Sequence, residues 1–209
     1  MASENDLVAY DNVPGNYYDK YNTKNPVARY LMQGFLSAFD ELTASIDVKR
    51  SYEVGCGEGH LSMRLHDRGW DVRGSDLEAI SVAEANTQCA QRNVEPKFEA
   101  VSLFDLKPQF AAEQLVICCE VLEHVPDTER ALAVLKSLAS PYLLVSVPRE
   151  PIWRILNVAR GKYISELGNT PGHIQHWSSA EFVSMLSKTM EVVAVRRPLP
   201  WTMVLCRCN

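Results

Sequence analysis

The chain has 209 residues, 46% hydrophobic and 22% charged, an ordinary globular composition whose length suits one α/β domain. Acidic residues number 26 against 21 basic ones, and the net charge of −5 argues against a broad phosphate-binding face and so against a nucleic-acid partner. No apolar run approaches the roughly 18 residues of a membrane span, and the polar N-terminus lacks the cationic and apolar regions of a signal peptide, so a cytoplasmic location is expected.

Residues 1–25 read as an irregular lead-in with Pro14, Gly15 and several Asn and Asp. From Pro26, apolar residues Val27, Leu31, Phe35 and Phe39 recur three to four apart, which predicts a helix. Strands follow at 51–54, 71–75 and 97–101, with helices over 61–68 and 78–92 between them. The run 115–119 is wholly apolar, as in the centre of a parallel sheet. Asp127 is placed to cap a helix running to about residue 140, and 142–147 is another apolar strand. This alternation predicts a doubly wound, mostly parallel sheet with right-handed crossovers.

The segment 148–177 breaks the alternation. It carries Arg149, Arg154, Arg160 and Lys162, and 152–159 reads as a short amphipathic helix. The four cations either recognise an anionic group or form a solvated face. A helix over 178–189 and strands at 192–196 and 201–206 complete the chain. The four-residue link 197–200 predicts an antiparallel hairpin. Six cysteines show neither a CxxC pair nor zinc-like spacing, so they read as buried free thiols. Cys118 and Cys119, adjacent in a strand, should point to opposite faces.

The strongest chemical signal is Glu53-Val54-Gly55-Cys56-Gly57-Glu58-Gly59, where the first strand passes into a helix. Glycines there let the backbone turn sharply and approach a ligand closely, and ligands of open α/β sheets bind outside the carboxyl ends of the strands. His60 stands where a dinucleotide fingerprint has its third glycine, and Glu53 carries the wrong charge for a phosphate. Both features argue against a nicotinamide dinucleotide; a carboxylate at position 53 better suits an ammonium group. Asp76 follows the second strand, 21 residues after Gly55. An acid at this spacing accepts from ribose hydroxyls, caps the next helix, or does both.

With these residues in place the chain resembles the class I S-adenosylmethionine-dependent methyltransferases, of the small-molecule type. The resemblance is carried by residues 53–59, Gly74-Ser75-Asp76, Ser102-Leu103-Phe104-Asp105 and Cys119-Glu120-Val121-Leu122-Glu123-His124-Val125, and covers roughly residues 49–147. It implies a seven-stranded Rossmann-like sheet whose last strand is antiparallel. It also implies S-adenosylmethionine as cofactor, held by Glu53, Gly55, Cys56, Gly57, Gly59, Asp76, Leu77, Ser102, Leu103, Phe104, Cys119 and Glu120. Members of the family often carry an Asp directly after the third strand to meet adenine; here Ser102 stands there, with Asp105 three residues on, and either could serve. The implied organisation is a single domain over 1–209, with a helical cap (1–48), a cofactor half (49–147), a lid or substrate insertion (148–177) and a C-terminal helix and hairpin (178–209).

The implied reaction is methyl transfer to an O, N, S or C nucleophile of a small molecule. RNA or protein as acceptor, or a non-catalytic S-adenosylmethionine binder, remains the alternative. His124 is a candidate general base, since imidazole titrates near neutrality, or a structural histidine bonded to backbone. His173 and His176, in the polar turn-rich stretch 168–177, are candidate substrate-binding residues, with His173 a second candidate base. Tyr17 and Tyr21 close the acceptor site or pack at an interface. The two histidines of 168–177 lack further ligands at metal spacing, so no metal is expected.

Overall fold

The computed structural model describes residues 23–95 and 97–208. Its centre is a seven-stranded sheet of order β3-β2-β1-β4-β5-β7-β6. Strands β1 (Arg50–Val54), β2 (Asp71–Asp76), β3 (Phe98–Ala100), β4 (Glu113–Cys119) and β5 (Ala139–Pro148) run parallel. The final pair, β6 (Glu191–Arg196) and β7 (Trp201–Arg207), forms a hairpin, and β7 inserts antiparallel between β5 and β6. The expected mixed sheet is therefore present. Tyr17 and Tyr21 lie outside the described residues.

Helices α1 (Pro26–Ala44), α2 (His60–His66) and α3 (Ala79–Gln91) supply apolar side chains to a core that includes Leu115, Ile117, Met203 and Leu205 of the sheet. A second core takes Val116, Val204 and Cys206 against α5 (Thr128–Leu138) and α7 (Ser179–Ser187). Alternate residues of β4 and β7 thus serve opposite cores, the period of two that a pleated strand imposes. Cys119 enters the first core and Cys118 the second, as the adjacency of the two thiols requires.

Helix ends follow local chemistry. Asn25 accepts from the amides of Val27 and Ala28 at the start of α1, and Asp127 accepts from Arg130 at the start of α5. Ser178 and Glu181 form a reciprocal capping box on α7, satisfying amides that a helix leaves unpaired. One expectation is corrected, and one element is added. The helix expected to run to about 140 stops at Leu138, because Pro141 disfavours helical backbone at Ser140 and the chain enters β5. A one-turn helix, α4 (Pro108–Ala111), fills the link before β4, too short to leave a periodic signal.

The segment after β5 holds α6 (Ile152–Ala159), with the predicted bounds. A bridge between Arg149 and Trp177 pins its two ends together. Arg154 donates to the carbonyl of Leu167 at 3.0 Å, and Asn157 to that of Gly168 at 2.9 Å. Arg154 is thereby tied into the fold of the insertion.

All six cysteines are reduced and buried. Burial pushes the thiol of Cys206 up to about 12, with Cys208 adding a smaller push. Burial likewise raises Cys118 and Cys56 well above the ordinary thiol range. Because the thiolate is the reactive form, the native chain should show almost no reaction with a colorimetric disulfide reagent at pH 8. All six should titrate in denaturant, and a fast native phase of several thiols would contradict this packing.

Candidate active site

The turn after β1 is shaped by its glycines. Gly55 has φ +72°, and a Cβ there would sit 2.3 Å from Val121 Cγ2, on the segment leaving β4. Gly59 has φ +79° and faces the Cβ of Ala85 in α3 at 3.0 Å. A side chain at either position would meet both left-handed backbone strain and a neighbouring element.

The amides of this loop are bonded within the protein. Gly55 and Cys56 both donate to the carbonyl of Ser75, and Gly59 donates to that of Cys56. Gly57 donates to Asp76 Oδ2 at 2.7 Å. A phosphate cradle needs such amides pointing at the ligand; here these four point into the protein.

Glu53 closes β1 at 3% exposure. Its Oε2 accepts from the amide of Ser62 at 3.0 Å and from Ser62 Oγ at 2.5 Å. The N-cap of α2 is Gly59, which has no side chain to offer, so Glu53 serves an amide in the helix's first turn from the neighbouring strand. The partner Ser62 carried no signal in the sequence, since it sits inside a helix pattern.

Asp76 ends β2 with both oxygens engaged. Oδ1 accepts from the amide of Glu78 at 2.9 Å, and Oδ2 from Gly57. The expected cap of the next helix takes another form: the N-cap of α3 is Glu78, which has no side-chain cap bond, and Asp76 instead holds the amide of Glu78 in the turn before it; a carboxylate retains further acceptor sites on both oxygens. Leu77 beside it is 58% exposed. After β3, Ser102 Oγ accepts from the amide of Phe104 at 3.3 Å. Arg130 lies 4.4 Å from the centroid of the Phe104 ring. Asp105 is exposed. Ser102, Leu103 and Phe104 are each partly buried on this edge.

Beyond β4 the backbone turns abnormally. Glu120 is left-handed at φ +60°, a conformation costly for a residue with a Cβ. Its Oε1 accepts from Ser146 Oγ at 2.9 Å, and its Oε2 from Trp201 Nε1 at 2.5 Å. Trp201 packs against Phe35 and Trp153, with ring centroids 5.1 and 5.9 Å away.

A short helical turn, Leu122–His124, then receives the loop from the insertion. The amides of Ile174 and Gln175 donate to the carbonyl of Glu123 at 2.9 and 3.1 Å. His124 Nδ1 lies 3.0 Å from the carbonyl oxygen of Gly172. A carbonyl only accepts, so Nδ1 carries a proton here. His173 meets His124 edge-on at 4.8 Å and stacks on Trp153 at 5.7 Å. One ligand atom from each of Glu123, His124 and His173 lies within 4.8 Å of the others.

The structure thus brings together His124 and His173, 49 residues apart in the chain. It places His176 elsewhere, exposed and bonded through Nε2 to Asn169 Oδ1 at 2.8 Å. Sequence reasoning missed Glu123, Trp153 and Trp201 as site residues. An acid directly before His124 was the only local hint.

A family profile described as "Methyltransferase domain" matches residues 52–141. The ubiquinone biosynthesis O-methyltransferase of Chromobacterium violaceum is 31% identical over 156 residues, 65% of this chain and 67% of that protein. The chain belongs to the class I S-adenosylmethionine-dependent methyltransferases. The enzyme of the same name from Bordetella avium is 34% identical over 107 residues, 51% of this chain and 44% of that protein. The chain thus spans between 44% and 67% of the length of the first three curated relatives it matches. Magnesium protoporphyrin IX methyltransferase from Synechocystis PCC 6803, solved with bound SAH, superposes with a TM-score of 0.69 at 22% identity, over 92% of this chain and 91% of that one. The N-methyltransferase NodS of Bradyrhizobium japonicum WM9 superposes with a TM-score of 0.63 at 15% identity, over 89% and 98%. These superpositions show the methyltransferase fold.

Gly55→Ala should destabilise this methyltransferase by about 2–4 kcal/mol, combining left-handed strain with overpacking against Val121. That corresponds to a fall in melting temperature on the order of 10 °C for a chain this size. The paired change Val121→Ala should restore part of the loss. A variant with unchanged melting temperature would show that the loop does not press on the exit of β4.

Proposed function

We propose that the chain is an S-adenosylmethionine-dependent methyltransferase acting on a hydroxyl oxygen of a small molecule. The observation that carries the reading is the carboxyl edge of β1 and β2. Asp76 spans the glycine loop and the approach to α3 there, while the amides of Gly55, Cys56, Gly57 and Gly59 are bonded within the protein. Relatives named as O-methyltransferases support the choice of oxygen.

The residues fit the cofactor. Asp76 has acceptor capacity left for two ribose hydroxyls. Glu53, a buried carboxylate at the end of β1, offers negative charge to an ammonium group. Gly55, Cys56, Gly57 and Gly59 keep the loop free of bulky side chains. Leu77, exposed beside Asp76, together with Ser102, Leu103 and Phe104 across the edge, would hold an adenine ring. Cys119 and Glu120 would border the methyl-bearing end. Bound S-adenosylmethionine supplies a methyl group on a positively charged sulfur, which leaves readily.

What the chain itself adds is position and proton handling. Methyl transfer is an in-line displacement, so holding the acceptor oxygen in line contributes much of the acceleration. A hydroxyl must also lose its proton on the way to the ether. Glu123, His124 and His173, gathered beyond β4, are the groups proposed to manage that proton. Trp153 and Trp201 would keep water from the reacting atoms. His176, facing Asn169, would contact the acceptor at the rim.

Thermal unfolding with S-adenosylmethionine, S-adenosylhomocysteine and NAD tests the cofactor. A ligand at about 100 times its dissociation constant stabilises by about 2.7 kcal/mol, or roughly 5–10 °C here. We expect that shift with both adenosyl ligands, none with NAD, and its loss in Asp76→Ala. Labelled methyl from the cofactor should then appear on phenolic or other hydroxyl acceptors. Stabilisation by NAD alone would overturn the assignment, and label transferred to RNA but to no small hydroxyl compound would overturn the acceptor class.

A further inference from the structure

We propose that Arg149 selects the methyl acceptor, and that the acceptor is a small hydroxy acid whose carboxylate this guanidinium binds. The proposal rests on the methyltransferase reading and deepens it by naming the substrate class.

Three observations carry it. First, Arg149 is a cation without an anion. Its side chain is partly buried and makes no hydrogen bond or ion pair among the described residues. Its Nε is shut off from solvent and has no acceptor. A guanidinium keeps its charge at physiological pH and offers five N–H donors. Burying such a donor unmet is costly, and a ligand that brings an anion to the guanidinium offsets the cost. The other cations of the insertion are placed differently. Arg154 donates to the carbonyl of Leu167 at 3.0 Å, and Arg160 donates to Asn157 Oδ1. Lys162 is exposed. Of the four cations that the sequence offers to an anionic group, Arg149 alone combines partial burial with unspent donors. Glu150, next along the chain, turns its Oε2 to the amide of Arg154 at 3.5 Å.

Second, the backbone of Arg149 is fixed on the acceptor side of the sheet. The residue follows β5 directly. Its amide donates to the carbonyl of Pro200 at 2.8 Å, and its carbonyl accepts from the amide of Trp153 at 3.0 Å. Its bridge to Trp177 adds a third tie. Trp153 stacks on His173, and Trp201, directly after Pro200, donates to Glu120. The guanidinium is therefore carried by the same stretch of backbone that carries the two tryptophans assigned to exclude water. A charge held on so constrained a backbone can fix where a substrate lies, and orientation is what an in-line displacement needs.

Third, charge and shape select a carboxylate. One guanidinium matches one negative charge, and its planar fork takes both oxygens of a carboxylate at once. A phosphate monoester carries about −1.5 to −2 near neutral pH. Arg154 and Arg160, the next cations along the chain, have donors committed within the insertion. The chain's net charge of −5 also disfavours a doubly charged ligand.

The test uses the full chain and pairs of phenols that differ by one charge: caffeate and its methyl ester, gallate and its methyl ester, salicylate and its methyl ester. Transfer of labelled methyl gives kcat/KM for each, and calorimetry with S-adenosylhomocysteine present gives binding. We expect at least one acid to be preferred over its ester by about 10–100-fold, the range of a hydrogen bond to a charged group. Arg149→Ala should remove that preference by weakening the acid alone. Arg149→Lys, which keeps the charge without the fork, should recover part of it. Lys162→Ala should leave both members of the pair unchanged. A merely structural loss lowers acid and ester alike, so the acid-to-ester ratio isolates recognition from folding. The thermal shift with S-adenosylhomocysteine reports whether each variant is folded. With that shift present in the wild type, acid-to-ester ratios near one in every pair, by transfer and by binding, overturn the proposal. A folded Arg149→Ala that keeps the acid preference overturns it too. Phenyl phosphate competing more strongly than benzoate would overturn the carboxylate as the group bound. A wild-type chain without the shift would instead overturn the methyltransferase reading.

Discussion

The carboxylate of Asp76 joins three pieces of chain at one point. Through Gly57 it holds the loop after β1, through Glu78 it holds the start of α3, and through its own backbone it ends β2. A charge-assisted bond from carboxylate to amide is about twice as strong as a neutral one, so this one side chain sets the spacing of the two loops at the carboxyl edge. The rest of the carboxyl edge of the sheet is arranged around it. The amides of Gly55 and Cys56 turn back to Ser75, directly before Asp76. The amide of Val101 reaches the Asp76 carbonyl at 2.9 Å, bringing in the end of β3.

A second constraint acts at the exit of β4. Gly55 admits Val121 at a distance that no other residue type would allow. The chain leaving β4 is thus drawn close to the glycine loop, and Glu120 takes a left-handed backbone. The carbonyl of Glu123 then becomes the landing point for the insertion, and the imidazole of His124 for the carbonyl of Gly172. The glycine loop and the segment 172–175 are thus both held against the chain leaving β4.

Much of this was legible in the sequence because it is local. The strands of the sheet and the amphipathic helix over 152–159 follow from periodicity and from Pro, Gly and Asp at element ends. The glycine loop and Asp76 announce themselves because left-handed turns and strand-end acids are rare outside such sites. What stayed hidden was relational. Ser62 and Trp201 look like ordinary helix and strand residues. Only in three dimensions do they hold the two glutamates, Glu53 and Glu120, that the sequence brings forward. The difference between the two histidines of the loop was equally hidden. His173 is buried against Trp153 while His176, three residues on, is exposed against Asn169.

The amino-acid sequence by itself determined the class of fold, the order of its main elements, the glycine loop with its strand-end acid, and the family. Each of these depends on short-range patterns: two-residue and 3.6-residue periodicity, glycines where φ is positive, an acid at the end of a strand. The tertiary structure alone decided where β7 enters the sheet and which side chains meet beyond β4. Glu123 and His124 lie 49 or more residues from His173. Their meeting follows from the insertion folding back onto the end of β4 through backbone bonds, and backbone bonds of that kind leave no mark in residue type or spacing.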